Sequence, residues 1–194
     1  MIRYVVIYLL CTYPLFSSVV NQNEVRLTKG DKACIQEVFS LLHHRLQIAR
    51  DIAKWKWNYR LPIDERDKEK KLMKEILQQA LEEGIDMKLC TSVIMSQIIA
   101  AKAVQIQSFE DWIKNNTDLV PHPASDLLTL EKNMLEVDRK IIHHLIHLYL
   151  LFDRQDFFSD IALNTMKVFP EGQISEELRQ EIIKPFLIDY TASM

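Results

Sequence analysis

Residues 54–69 read KWKWNYRLPIDERDKE, and the place where one helix stops and the next starts inside this stretch decides the fold. Proline disfavours helix at the residue before it, so a helix beginning near Asp31, after Gly30, runs to about residue 59 or 60 and stops ahead of Pro62. Asp64, Glu65 and Asp67 then suit the first turn of a second helix, whose dipole is positive at that end. Thirty residues of helix reach roughly 45 Å at 1.5 Å per residue. The apolar stripe of this long helix runs Ile35, Val38, Leu42, Ala49, Ile52, and its next step lands on Lys56. Arg45 lies three residues after Leu42 and four before Ala49, on the same side of the cylinder. Two cations therefore point inward.

Working outward, the second helix buries Leu72, Met73, Ile76, Leu77, Ala80 and Leu81 and ends at Gly84; stepping its stripe back from Leu72 reaches Glu69 and Lys68. The third helix starts near Asp86 and carries Ile94, Ile98, Ala101, Gln105 and Trp112 at helical spacing. Its apolar residues wrap more than one side, as in the central helix of a bundle. The proline-bearing loop NNTDLVPHPASD, residues 115–126, separates this unit from helices near 127–152, 154–168 and 176–184. The three glycines, Gly30, Gly84 and Gly172, all fall where periodic segments begin or end. An all-α helical bundle with an additional C-terminal helical region is expected.

The 194 residues, 48% hydrophobic and 26% charged, suffice for one substantial core, and a net charge of −3 offers no basic surplus for nucleic acid or an anionic membrane. Three scattered glycines exclude a glycine-rich phosphate loop. Residues 1–20, MIRYVVIYLLCTYPLFSSVV, carry Arg3, an apolar run broken by Pro14 and then small residues, which reads as an export signal too short for a stable membrane span. The expected organisation is a signal at 1–20, a helical catalytic unit at 21–115 and a C-terminal region at 116–194 packed on it. The exported chain keeps Cys34 and Cys90 in an oxidising compartment, where a disulfide or two buried free thiols are both open. Counting heights along two parallel helices leaves the two cysteines about one turn out of level, and a Cys34–Cys90 bridge is expected across that offset.

Buried charge costs several kcal/mol, roughly, unless it is paired or liganded. Arg45, Lys56 and Lys68 face one obvious inward acid, Glu69, which leaves two positive charges for a dianionic ligand to balance. Arg45 and Lys56 are eleven residues apart, about 16 Å along one helix face. A small rigid dicarboxylate fits between them, with Lys68 a third cation and Gln105 a neutral donor. An internal ion-pair network is the alternative explanation of the same residues.

The spaced set Arg45, Lys56, LPIDERDKE with Lys68 and Glu69, and Gln105 in QIIAAKAVQ resembles the all-helical chorismate mutases. The export signal, the KW and LPI elements, the FEDWIKN segment and the extra C-terminal helices are similar to their exported, AroQ gamma subclass. The resemblance covers about residues 35–115. It implies that Arg45 holds a substrate carboxylate, that Lys56 contacts a carboxylate and the ether oxygen, that Gln105 donates to that ether oxygen and that Glu69 receives the ring hydroxyl. Lys68 stands where the family usually has arginine, and Ala101 where a small hydroxyl residue is usual. A further family cation after the proline loop falls in register on Glu131 or Lys132, which makes Lys132 a candidate. The implied reaction is the unimolecular rearrangement of chorismate to prephenate, without metal or cofactor, in a periplasmic or secreted homodimer with no nucleic-acid partner and no membrane contact after signal removal. An isochorismate lyase on the same scaffold, or an impaired exported binding or dimerising protein, are the alternatives.

His143 and His147 share a helix face at a metal-pair spacing, but no cysteine or acidic ligand is spaced with them, and surface or amphipathic positions explain them. Trp55, Trp57 and Trp112 read as packing residues.

Overall fold

The computed structural model describes residues 26–188, so the export signal at 1–20 lies outside the described residues. Six α-helices follow in order: α1 Lys29–Asn58, α2 Arg66–Glu83, α3 Met87–Lys114, α4 Leu127–Tyr149, α5 Phe157–Val168 and α6 Glu176–Ile183, with a 3-10 turn at Lys184–Phe186. Among the described residues there is no strand, only an isolated bridge between Glu171 and Ile174.

The local chemistry of the helix ends explains their positions. Thr28 caps α1 by accepting from the Asp31 N–H, while the Asp31 carboxylate accepts from the Thr28 N–H at 2.8 Å, a reciprocal capping box. Gly30 therefore sits inside the first turn rather than ahead of it, a correction to its reading as punctuation. Gly84 closes α2 in the left-handed region at φ 70°, which a residue without a Cβ adopts freely. Asp86 caps α3 through the Leu89 N–H at 2.7 Å.

The helices are ordered by what they bury. Arg45 on α1 lies beside Gln97 on α3, and Trp57 meets Phe109 and Trp112, so α1 and α3 run parallel. Asp31 meets His147 and Arg45 meets Asp138, so α4 runs antiparallel to α1. Packed on α3 and α4, α2 carries Lys68 and Glu83 to α4. The core is filled by Ile35, Phe39, Leu42, Ile94, Ile141 and Leu145, all fully buried. Each such side chain contributes about 1.5–3 kcal/mol by leaving water. The length and apolarity of α3 would let it cross a membrane, but just over half of that window is buried by its neighbours. At the other end, α5 and α6 pad the bundle, with Lys32 on α1 facing Asp156 and Asp160 and Ser96 on α3 donating to the Glu181 carbonyl.

The expected Cys34–Cys90 disulfide is absent, and both thiols are free. Arg45 is level with Gln97, which places Cys90 level with about Val38, one turn or about 6 Å from Cys34. Cys34 also turns towards α4, where its sulfur lies 3.6 Å from His144 Nδ1. Burial pushes the Cys90 thiol up to about 12.

Candidate active site

A cavity of about 280 Å³ opens between α1, α2, α3 and α4, walled by Ile52, Leu72, Ile98, Ala101, Met134 and Leu135. Five of the six residues expected at the site, Arg45, Lys56, Lys68, Glu69 and Gln105, line it. Lys132 does not. It is exposed, one position past Glu131, whose side chain occupies the cavity wall instead. The register on α4 thus brings an acid where a cation was expected.

Arg45 forms the floor and is 1% exposed. Its Nε donates to Asp138 Oδ1 at 2.5 Å, Nη2 reaches Asp138 Oδ2 at 3.4 Å, and Nη1 donates to the Gln97 carbonyl at 2.6 Å. Burial pushes the Asp138 carboxyl up, against the pull of the Arg45 guanidinium. The guanidinium has five N–H donors in a fixed fork, so two remain after these three bonds.

Above the floor, Lys56 is tied at Nζ to Glu65 at 2.7 Å and donates to the Ile63 carbonyl at 3.0 Å. A third ammonium proton is left for a ligand. Lys68 does not point inward as its stripe suggested: its side chain is 57% exposed at the cavity mouth, held by Glu65 at 2.6 Å and Glu131 at 2.7 Å. The first turn of α2 lies at the cavity rim, where Glu65 and Glu131 hold the Lys68 ammonium in reach of water. The hydrogen bonds it donates to Glu131 and Glu65 raise the Lys68 ammonium above its ordinary value. Burial pushes the Glu65 carboxyl up, and its bonds with Lys56 and Lys68 more than offset this, leaving it low.

Glu69 accepts from Lys102 at 2.9 Å and from the Glu65 N–H at 3.3 Å. Gln105 is buried on α3, and its Oε1 has no hydrogen-bond partner in the protein. An orphaned amide oxygen on a cavity-lining residue calls for a partner from outside the protein, water or a ligand.

The expectation of three cations against one acid is overturned. The cavity is lined by Arg45, Lys56, Lys68, Lys71 and Lys102, and equally by Glu65, Glu69, Glu75, Glu131 and Asp138. Sequence reasoning missed Asp138, met Glu131 only as one of two registers for a cation, and missed Glu65 and Lys102. The first two were within reach: Glu131, Met134, Asp138, Ile141 and Leu145 recur at helical spacing on α4, the same sign of inward charge that drew attention to Arg45.

The two histidines of α4 turn to different helices, His143 facing Glu83 on α2 at 3.3 Å and His147 facing Asp31 on α1 at 2.8 Å. Trp55 and Trp57 pack and anchor the 115–126 loop, their indole N–H groups donating to the Ser125 and Asp118 carbonyls at 2.9 Å each.

No family profile matches the chain. A secreted chorismate mutase of Yersinia pestis is 29% identical over 106 residues, 54% of this chain and 55% of that protein. A secreted chorismate mutase of Mycobacterium tuberculosis is 28% identical over 89 residues, 46% of this chain and 45% of that protein. The chain thus spans about half the length of the curated relatives it matches. The crystal structure of chorismate mutase from Burkholderia thailandensis superposes with a TM-score of 0.70 at 23% identity, covering 79% of this chain and 99% of that one. The fold is the all-helical chorismate mutase fold.

Proposed function

We propose that this chain converts chorismate to prephenate in the cavity floored by Arg45. The observation that carries the reading is the convergence of Arg45, Lys56 and the unpartnered Gln105 amide on one apolar-walled cavity, in the fold shared with chorismate mutases. The sequence likeness to two secreted chorismate mutases supports it.

The reaction is pericyclic, so the protein's task is to hold the folded conformer and to stabilise the negative charge that develops on the breaking ether oxygen. The two free N–H groups of Arg45 bind a substrate carboxylate. Their direction is fixed because Asp138 and the Gln97 carbonyl hold the rest of the fork. Lys56 directs its remaining proton to the ether oxygen, and Gln105, with its amide turned so that the NH₂ faces the cavity, donates to the same atom. Oxygen and nitrogen of an amide are exchangeable in this way. Glu69, anchored by Lys102, accepts the ring hydroxyl. Lys68 takes the second carboxylate at the mouth. One aligned donor of this kind contributes about 10²–10³ in rate.

Export fits the secreted relatives, and the signal-like sequence at residues 1–20 supports it. A homodimer fits α3, where Met95, Ile99, Ile106 and Ile113 form an exposed apolar stripe at spacings of four, seven and seven residues.

The test is loss of chorismate absorbance with purified protein in the presence of a chelator, followed by acid conversion of the product to phenylpyruvate. Metal-independent turnover is expected. Pyruvate release from isochorismate, with no prephenate from chorismate, would assign the cavity to a lyase.

A further inference from the structure

Glu131 closes the cavity mouth from α4. Its carboxylate lies 2.7 Å from Lys68 Nζ on α2, and Lys68 is its only ion-pair partner among the described residues. Three of the other carboxylates around the ligand space are anchored more firmly, while Glu75 meets only the exposed Lys71, at 3.9 Å, and does not touch Lys68. Asp138 is fully buried on Arg45, Glu65 is shared by Lys56 and Lys68, and Glu69 holds both Lys102 and a backbone N–H. Glu131 is 31% exposed and its partner 57%, so water can take over both ends when the bridge opens.

The charge balance gives this bridge a consequence. A cavity with five cations and five carboxylates has no net attraction for an anion, and a ligand with two carboxylates would make it doubly negative. Lys68 is the cation at the mouth, and two of its three ammonium protons already go to carboxylate oxygens, so a ligand carboxylate that reaches the third must sit against the Glu131 charge.

Resting on the chorismate mutase reading, we propose that Glu131 is a specificity-determining residue, an internal carboxylate that occupies Lys68 in competition with the ligand's own and so sets the penalty for binding a dianion. The dianion enters by displacing the Glu131 carboxylate into solvent. A ligand without charge does not meet this penalty.

The sign of the effect separates this role from a structural one. If Glu131 only tied α4 to α2, removing its charge would loosen the mouth, weaken binding and lower the melting temperature. As a competitor, its removal strengthens binding. Glu131→Gln and Glu131→Ala are compared with the wild-type protein by chorismate kinetics, by melting temperature and by calorimetric titration with isophthalate, a rigid dicarboxylate, and with the uncharged isophthalamide. Both variants are expected to lower the KM for chorismate and the Kd for isophthalate by about three- to tenfold, with no gain for isophthalamide. Unchanged or weaker isophthalate binding in both variants would overturn the proposal, as would an equal gain for the diamide or failure of every form to bind either anion. Chorismate turnover without any gain in the variants leaves the activity standing and removes the Glu131 role. Tighter isophthalate binding by a protein with no chorismate turnover does the reverse.

Discussion

The floor and the mouth of the cavity are built from the same chemistry and differ in water. At the floor, Arg45 and Asp138 are 1% and 0% exposed and form a fork with a further bond to the Gln97 carbonyl. At the mouth, Lys68, Glu65 and Glu131 are 57%, 27% and 31% exposed. A dry pair has paid its desolvation during folding, and either partner left alone is a buried uncompensated charge. A wet pair is nearly neutral energetically and exchanges partners freely. The floor is therefore a fixed element of stability and, under the proposed function, of binding, whereas the mouth can be retuned without cost to the fold.

The largest expected effect comes from breaking the floor. Arg45→Ala removes the carboxylate clamp and strands Asp138, so kcat/KM should fall by at least about 10²-fold and stability by about 3–5 kcal/mol. Adding Asp138→Ala should recover part of the stability but none of the activity, because the stranded charge is gone while the clamp is still missing. Urea unfolding and chorismate kinetics on the two single variants and the double variant check this through the coupling energy. Additive stability losses would show that the floor is as wet as the mouth and erase the contrast between them.

The mouth should respond mildly. Lys68→Arg replaces a point charge by a planar fork that can hold Glu65 and a ligand carboxylate together. Its kcat/KM should stay within about threefold of wild type or rise, with an unchanged melting temperature, since an exposed pair contributes about 0–1 kcal/mol. A loss above tenfold with the fold intact would mean that the mouth, like the floor, is built around one particular side chain.

The same contrast explains what the sequence disclosed. Arg45 and Lys56 were legible because a charge on an apolar stripe is conspicuous, and both are buried where the stripe places them. Helix spans were legible because Pro62, Gly84 and the capping aspartates punctuate them; the boundaries moved by a few residues where Thr28, not Gly30, starts α1 and where Glu65 leaves α2 uncapped. Lys68 was misjudged because periodicity gives the side of a helix and not its depth: the first turn of α2 stands at the rim, where Glu65 and Glu131 hold the ammonium outward. The balance of charge was missed for a different reason. The carboxylates that neutralise Arg45, Lys56 and Lys68 come from the 62–65 turn or from α4; the spacing on α4 marks Glu131 and Asp138 as inward, but which cations they meet, 63 and 93 residues away, depends on how helices pack. The cysteines show the same limit, since one turn of offset and the direction of Cys34 towards α4 decide against a bridge.

The smallest effect probes how dry the floor is. Gln97 is 0% exposed, and while its backbone carbonyl serves Arg45, neither polar atom of its side chain has a protein partner. An amide buried in that way costs about 1–3 kcal/mol relative to a satisfied one, and methionine fills a similar length with no polar atom to desolvate. Gln97→Met should therefore raise stability by about 1 kcal/mol, read as a gain of about 2–4 °C in melting temperature for a chain of this size. Arg45 keeps its bond to the carbonyl in that variant, so catalysis should be little altered. A drop in melting temperature would show that ordered water satisfies the amide, and a floor that admits water beside Gln97 would also screen Arg45 from Asp138 and reduce the coupling expected between them.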